Sequence, residues 1–507
     1  MTPSINNPIL PGFHPDPSIC RVGDDYYLVN SSFEYFPGVP IFHSRDLAHW
    51  RPIGYCLTHP SQLPLENCPS SQGIYAPTLR HHNGLFYMVT TNVSGGGNFY
   101  VTASDPAGPW SEPVWLQAGG IDPSLLFDDD DDGQVYFTCQ GNEGILQGRL
   151  DLDSGSLIEP LRPIWQGTGG AYPEGPHLYH IRGWYYLMIA EGGTEYGHMQ
   201  TIARSKSPWG PFESCPRNPI LSHRSRGNLP IQSLGHADLV QDQAGNWWLV
   251  CLGVRPNGYP FCHHLGRETF LAPLRWDAQD WPLVGDDDGQ VTMSIAWPPL
   301  TPHPWPAEAE RDDFDQLELR LAWNFLRSPA AQTWSLSERP GWLCLHGTAA
   351  TLDENGLQAW VGRRQERFDC LAHAALEFAP QNPGEEAGLC VRMNERHHYE
   401  IAILRGESGS QVIVRQRIGG LQAITACADF PGSAVELLIR TEKDRYTFGY
   451  ASDGNDPRWL ASGETRYLST EVAGGFTGVF FGLYATGNGK QASTPACFDW
   501  FELKARE

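Results

Sequence analysis

The sequence predicts an all-β protein, a five-bladed β-propeller followed by a C-terminal β-sandwich of jelly-roll-like type. Three observations carry the prediction. One motif recurs five times along the first half of the chain, helical periodicity is scarce throughout, and a proline-rich stretch separates the repeats from a series of short alternating segments.

Each copy of the motif opens on a small or functional residue beside a turn-former and runs through an apolar residue into a Gly, Asp or Asn turn. It ends in an aromatic-rich strand. The copies start at Asp16, Ala76, Asp122, Glu174 and His236, so successive starts lie 60, 46, 52 and 62 residues apart. That spacing holds one four-stranded antiparallel sheet with its loops. The turn residues are those that accept the positive φ of a hairpin.

Prolines in 297–306, followed by charges in 307–313, mark a linker. They divide the chain into a propeller of residues 1–305 and a sandwich of 306–507, in which segments 342–345, 398–404, 411–416 and 434–440 alternate apolar and polar residues and 496–503 gives a last strand. Such a sandwich either binds a ligand itself or walls off one side of the propeller channel, which it would do if segment 475–490 reaches the channel mouth.

Lys and Arg number 35 against 58 Asp and Glu, a formal charge of −23. This balance disfavours nucleic acid and anionic membrane surfaces as partners, suits a neutral ligand, and leaves a homo-oligomer open. No run approaches the ~18 apolar residues of a membrane span. The opening MTPSINNPILPGFHPDP has neither the basic nor the apolar part of a secretory signal, and the 12 cysteines form no CxxC pair. Several lie in apolar runs such as 135–140 and 247–252, as buried free thiols would; the expectation is a cytoplasmic protein.

In a propeller the innermost strands line one central channel, so the five starts converge there. Four of them are ionisable. In one copy Asp-Pro or Glu-Gly is simply a turn; three acids and a histidine at repeated positions point to a site. Glycosidic cleavage needs two carboxyl groups in different environments, one protonated to help the leaving oxygen depart and one ionised to activate water. A third, held close, raises the pKa of the acid. Phe13, Phe33, Phe36 and Tyr75 lie near these positions and could face the C–H surfaces of a sugar or pack the core. The acidic run 128–132 reads as a solvated hairpin tip, with a bound cation as the lesser reading. Cys262-His263-His264 alternates across a strand with no second cluster to match it, so zinc is not expected.

Asn7-Pro-Ile-Leu-Pro-Gly-Phe-His-Pro-Asp16-Pro-Ser, Ile121-Asp122-Pro-Ser and Pro173-Glu174-Gly-Pro-His-Leu-Tyr resemble, in order and spacing, the three catalytic signatures of glycoside hydrolase family 43. Leu234-Gly-His236-Ala-Asp-Leu-Val, Leu265-Gly-Arg267-Glu-Thr and Gly475-Phe-Thr-Gly extend the resemblance to that family's two-domain β-xylosidases. It implies that Asp16 is the general base, Glu174 the general acid and Asp122 the residue that tunes and orients the acid. It also implies inversion, with the two carboxyl groups about 6.5–9.5 Å apart. Arg267 would pair with the base and the sugar hydroxyls. Phe33, Tyr75 and Ala76 would line the terminal-sugar pocket, and His236 would contact substrate or hold a calcium ion or its waters; no cofactor is otherwise required. Tyr75 stands where the family usually has Trp, which leaves open the choice between xylopyranoside and arabinofuranoside.

The expected activity is therefore exo-acting, inverting release of terminal β-1,4-linked xylose from xylo-oligosaccharides. An α-L-arabinofuranosidase or bifunctional enzyme is the alternative; the rivals from other classes are a non-catalytic carbohydrate-binding propeller and a structural or protein-interaction one.

Overall fold

The computed structural model describes residues 4–131, 133–452 and 454–506. Its first part is a ring of five antiparallel sheets, each made of strands that follow one another in sequence except that the first omits Tyr35–Phe36, and the innermost strands are Ser18–Val22, Thr78–His82, Ile121–Asp128, Glu174–Ile181 and Gln232–Gln241. These are the strands that the repeat predicts. No blade is shared between the two ends of the ring. Closure comes instead from the strand Ser4–Asn6, paired with Ser294–Ala296, and from Asn7, whose side chain donates to the carbonyls of Leu271 and Thr292 and accepts from the Leu271 N–H, all at 2.9 Å. Buried amide bonds of this kind tie the first residues to the fifth blade at little cost, because every polar atom finds a partner.

After a linker the chain enters a sandwich of two large antiparallel sheets at Arg311–Asp312, which pairs with Ala496–Ala505. The only α-helix among the described residues, Thr470–Ala473, lies here. The linker is packed, not loose: the Trp305 indole donates to the His49 carbonyl at 3.1 Å, and Arg51 lies 3.9 Å over its ring. One sandwich sheet also takes a strand from the first blade, Tyr35–Phe36, against Asn324–Leu326. Around that shared strand Phe13, Tyr35, Trp360, Phe480 and Tyr484 form a single buried cluster drawn from both parts, with Tyr35 stacked on Phe480 at 4.1 Å.

One expectation needs correction and one is extended. Cys139 and Cys251, in the apolar runs, are buried free thiols, as are seven other cysteines; Cys427 is free and exposed, and Cys344 and Cys497, opposite one another in paired strands, form a disulfide. The acidic run after Phe127 is only partly a solvated tip. Asp129 and Asp130 are exposed, but Asp128 is buried and accepts from the Tyr185 hydroxyl at 2.5 Å and from His180 at 3.1 Å. Asp132 lies outside the described residues. Ligand atoms of Asp128, Asp130 and His180 are close enough to share one cation.

Candidate active site

The central positions share a backbone device. Asp16, Asp122 and His236 have φ of 52°, 53° and 50°, in the left-handed region, and the inner strands of the third, fourth and fifth blades are bulged near their starts. A bulge combined with a left-handed residue re-aims a side chain, here toward the channel, at some conformational cost. The register corrects the repeat in the fourth blade. Ser124, His177 and Asp238 resume the regular ladder after the bulge, so Gly175, with φ 57°, is the equivalent of Asp122 and His236, and Glu174 stands one residue earlier. Counting back from Thr78 in the second blade gives Tyr75 the same place. A side chain at 175 would collide with the neighbouring blade, since a Cβ there would lie 2.8 Å from His236 Nε2.

That glycine brings its backbone close to Asp122. Gly175 N–H donates to Asp122 Oδ2 at 3.1 Å, and His236 Nε2 lies 3.5 Å from the same oxygen. Burial opposes charge on His236, but the contact with Asp122 and the charges of Asp16, Asp122 and Glu174 outweigh it and hold the imidazole up to about 9, charged at neutral pH. Among the described residues His236 belongs to no cluster of three or more metal-ligating side chains. A calcium ion takes six to eight ligands, nearly all oxygen, so His236 would be one ligand at most and waters or the neighbouring carboxylates would have to supply the rest.

Glu174 is half-buried, and burial, then the Asp122 charge, raise its carboxyl to about 7. His198 contributes through its tautomer. Its Nδ1 faces the Ser233 carbonyl at 3.1 Å and must carry the proton, leaving an unprotonated, partnerless Nε2 turned to Glu174 Oε1 at 3.9 Å. Burial holds this ring down to about 3, so it supplies no positive charge to favour the carboxylate. Asp16 sits in the opposite kind of environment: Arg267 Nη1 donates to Oδ1 at 2.7 Å, and the Ser31 hydroxyl donates to Oδ2. One carboxyl is thus biased toward its neutral form and another is given a permanent counter-charge.

The pocket wall comes from both parts of the chain. Phe33, whose φ is 49°, lies 5.3 Å from Tyr75 and 6.1 Å, stacked, from Phe476 of the sandwich. Arg267 donates to the Phe476 carbonyl through Nε and Nη2, and Phe476 N–H donates to Ser71 Oγ at 2.8 Å. Segment 475–490 was expected at the channel mouth; the particular residues Phe476 and Ser71 were not, since neither belongs to the repeat. Ala76 is buried and brings no charge to the second blade. Also unforeseen is a plug deeper in the channel. Arg80 donates to Asp238 at 2.8 Å, while Ser18 and Tyr179 each donate to it at 2.6 Å, joining four blades across the centre. Despite burial, Arg80 and these bonds hold Asp238 well below the usual carboxylate range. His263 and His264 serve the junction: His263 meets Glu471 of the sandwich at 2.8 Å, and His264 is buried near Phe368 and Tyr446.

A carboxyl raised to about 7 and a second carboxyl anchored by Arg267, with the rings of Phe33 and Phe476 beside that arginine, define a protein built to cut glycosidic bonds. Comparison with known proteins gives the family. Residues 5–282 match the model of "Glycosyl hydrolases family 43", and residues 311–504 match "Beta xylosidase C-terminal Concanavalin A-like domain"; the chain belongs to glycoside hydrolase family 43. It is 48% identical to a non-reducing end α-L-arabinofuranosidase of Bacteroides ovatus, over 99% of this chain and 95% of that one. It is 34% identical to a β-xylosidase of Bacillus subtilis, over 99% and 100%. Among solved structures, a Bacteroides ovatus family 43 protein from a xyloglucan utilisation locus superposes with a TM-score of 0.96 at 47% identity, covering 99% of this chain and 100% of that one. A xylan β-1,4-xylosidase of Bacillus halodurans does so at 0.93 and 38%, again over 99% and 100%.

Proposed function

We propose that the chain is an exo-acting, inverting hydrolase that removes one terminal pentosyl unit, α-L-arabinofuranosyl by preference and β-D-xylosyl second. Glu174 gives its proton to the leaving oxygen as the bond to the anomeric carbon breaks. Asp16 takes a proton from the water whose oxygen bonds to that carbon from the other face. Asp122 keeps the acid protonated, and Arg267 holds Asp16 in place while reaching the sugar hydroxyls. The observation that carries this reading is the pairing of a carboxyl raised to about 7 with one bound to arginine at 2.7 Å.

The rings of Phe33, Tyr75 and Phe476, gathered beside Arg267, give a terminal sugar a wall to pack on. The order of sugars follows the relatives: the arabinofuranosidase is 48% identical and the β-xylosidase 34%, while a 40% identical Butyrivibrio fibrisolvens protein is named for both activities. This reverses the order expected from sequence, and the smaller Tyr75 at the pocket wall is compatible with the reversal. The test is to follow aryl α-L-arabinofuranoside, aryl β-D-xyloside and xylobiose by NMR, with Asp16→Ala as control. First-formed β-arabinofuranose, lost in the control, is the expected result. Faster release of α-xylose restores the xylosidase reading, and no release from any substrate leaves a sugar-binding propeller.

A further inference from the structure

Tyr172, two residues ahead of Glu174, is 72% exposed and has a φ of 52°, a left-handed conformation that bulky residues seldom adopt. It belongs to none of the hydrophobic clusters. Packing therefore does not account for an aromatic ring here. The loop that presents it is nevertheless firmly held. Buried Glu191 accepts from Thr168 N–H at 2.9 Å, Gly170 N–H at 2.9 Å and Thr201 Oγ1 at 2.6 Å, and Gly192 N–H donates to the Ala171 carbonyl at 2.6 Å. The ring sits beside Gly193, where a Cβ would lie 3.1 Å from Tyr172 Cδ2, so any larger residue there would crowd it. The next residue, Thr194, reaches Arg267 at 3.5 Å, which ties the backbone under the ring to the catalytic pocket. Pro173 then fixes the short step to the acid.

We propose that Tyr172 is the stacking platform for the sugar on the leaving side of the scissile bond. This rests on Glu174 being the acid, because the oxygen that Glu174 protonates belongs to that sugar, and the sugar must then pass beside the residues next to Glu174. An aromatic ring held beside a glycine and left largely exposed can take the apolar C–H face of a pyranose. Tyr172 thus contributes to recognition of the leaving group and leaves the terminal-sugar pocket unaffected.

The test compares two substrates that share the pentose but differ in leaving group: a pentosyl disaccharide, and the methyl glycoside, whose leaving group has no ring. Tyr172→Gly removes the ring without straining the positive φ, and Tyr172→Phe keeps it. The expected result is a roughly three- to tenfold fall in kcat/KM for Tyr172→Gly on the disaccharide, an unchanged value on the methyl glycoside, and near wild-type rates for Tyr172→Phe on both. Equal losses on both substrates would mean that the residue only supports the loop bearing the acid, and no loss on either would mean that no sugar stacks there; each overturns the proposal while leaving the hydrolase reading intact. A wild type inactive on both substrates overturns the two readings together.

Discussion

Replacing Asp122 by Asn isolates one electrostatic effect with little change of shape, because Gly175 N–H and His236 both approach the same oxygen, Oδ2, which the amide carbonyl can replace. The Glu174 carboxyl rises from an ordinary 4.5 to about 7, equivalent to roughly 3 kcal/mol against ionisation at about 1.4 kcal/mol per pH unit. Burial is the largest cause and persists in the variant; the Asp122 charge is second and is lost. His236 also feels the change, but Asp16 continues to favour its cationic form, which keeps pulling Glu174 downward. A general acid works only while protonated, so the alkaline limb of kcat/KM, expected near pH 7 in the parent, moves down by roughly one unit. At pH 7 the rate on a sugar leaving group then falls roughly fivefold, while near pH 5, where both acids are protonated, the variant approaches the parent. An aryl glycoside with a nitrophenolate leaving group needs less protonation and loses less. The assay is the pH profile of kcat/KM on both substrates; an alkaline limb that stays in place or moves upward refutes the assignment of Asp122 as the group that tunes Glu174.

Two further outcomes follow from the geometry. Phe476→Ala removes a pocket ring but keeps the backbone carbonyl that holds Arg267, so KM for the terminal sugar rises roughly tenfold with kcat little changed, measured by initial rates on aryl pentosides. In the sandwich, Arg415 donates to Glu386 at 2.8 Å and to Glu400 at 2.7 Å, both carboxylates being buried. Arg415→Met leaves those charges without their main partner and destabilises the protein by about 3–5 kcal/mol, read from the shift of the urea midpoint.

The ring of blades was legible in the sequence because every blade repeats the same local chemistry, an inner strand start followed by a hairpin turn. The slip in the fourth blade had a signal that went unused. A proline follows the central position in four blades, as Pro17, Pro77, Pro123 and Pro176, and aligning on it places Gly175 at the centre and Glu174 one residue before. The reading of Glu174 as the candidate acid does not depend on the slip, because Glu174 is the only acid beside that position. Phe476 lay inside the motif Gly475-Phe-Thr-Gly, but the motif did not single out its ring. Ser71 and the strand Tyr35–Phe36 were beyond such reasoning, since each acts through a contact between segments hundreds of residues apart that share no pattern. The Cys344–Cys497 pair, 153 residues apart, is of the same kind. Asp128 was misread because an acidic run looks solvated whether or not its first member turns inward to Tyr185.

The first blade lends Tyr35–Phe36 to the sheet of the sandwich, and this limits what can be recombined. A chimera cut at the linker would separate that sheet from one of its own strands and open the cluster of Phe13, Tyr35, Trp360 and Phe480. Exchanging the C-terminal part between relatives to alter substrate preference therefore requires carrying the matching turn of the first blade with it. Inheritance of the two parts is coupled for the same reason: a substitution at Tyr35 in one must find its compensation at Phe480 in the other.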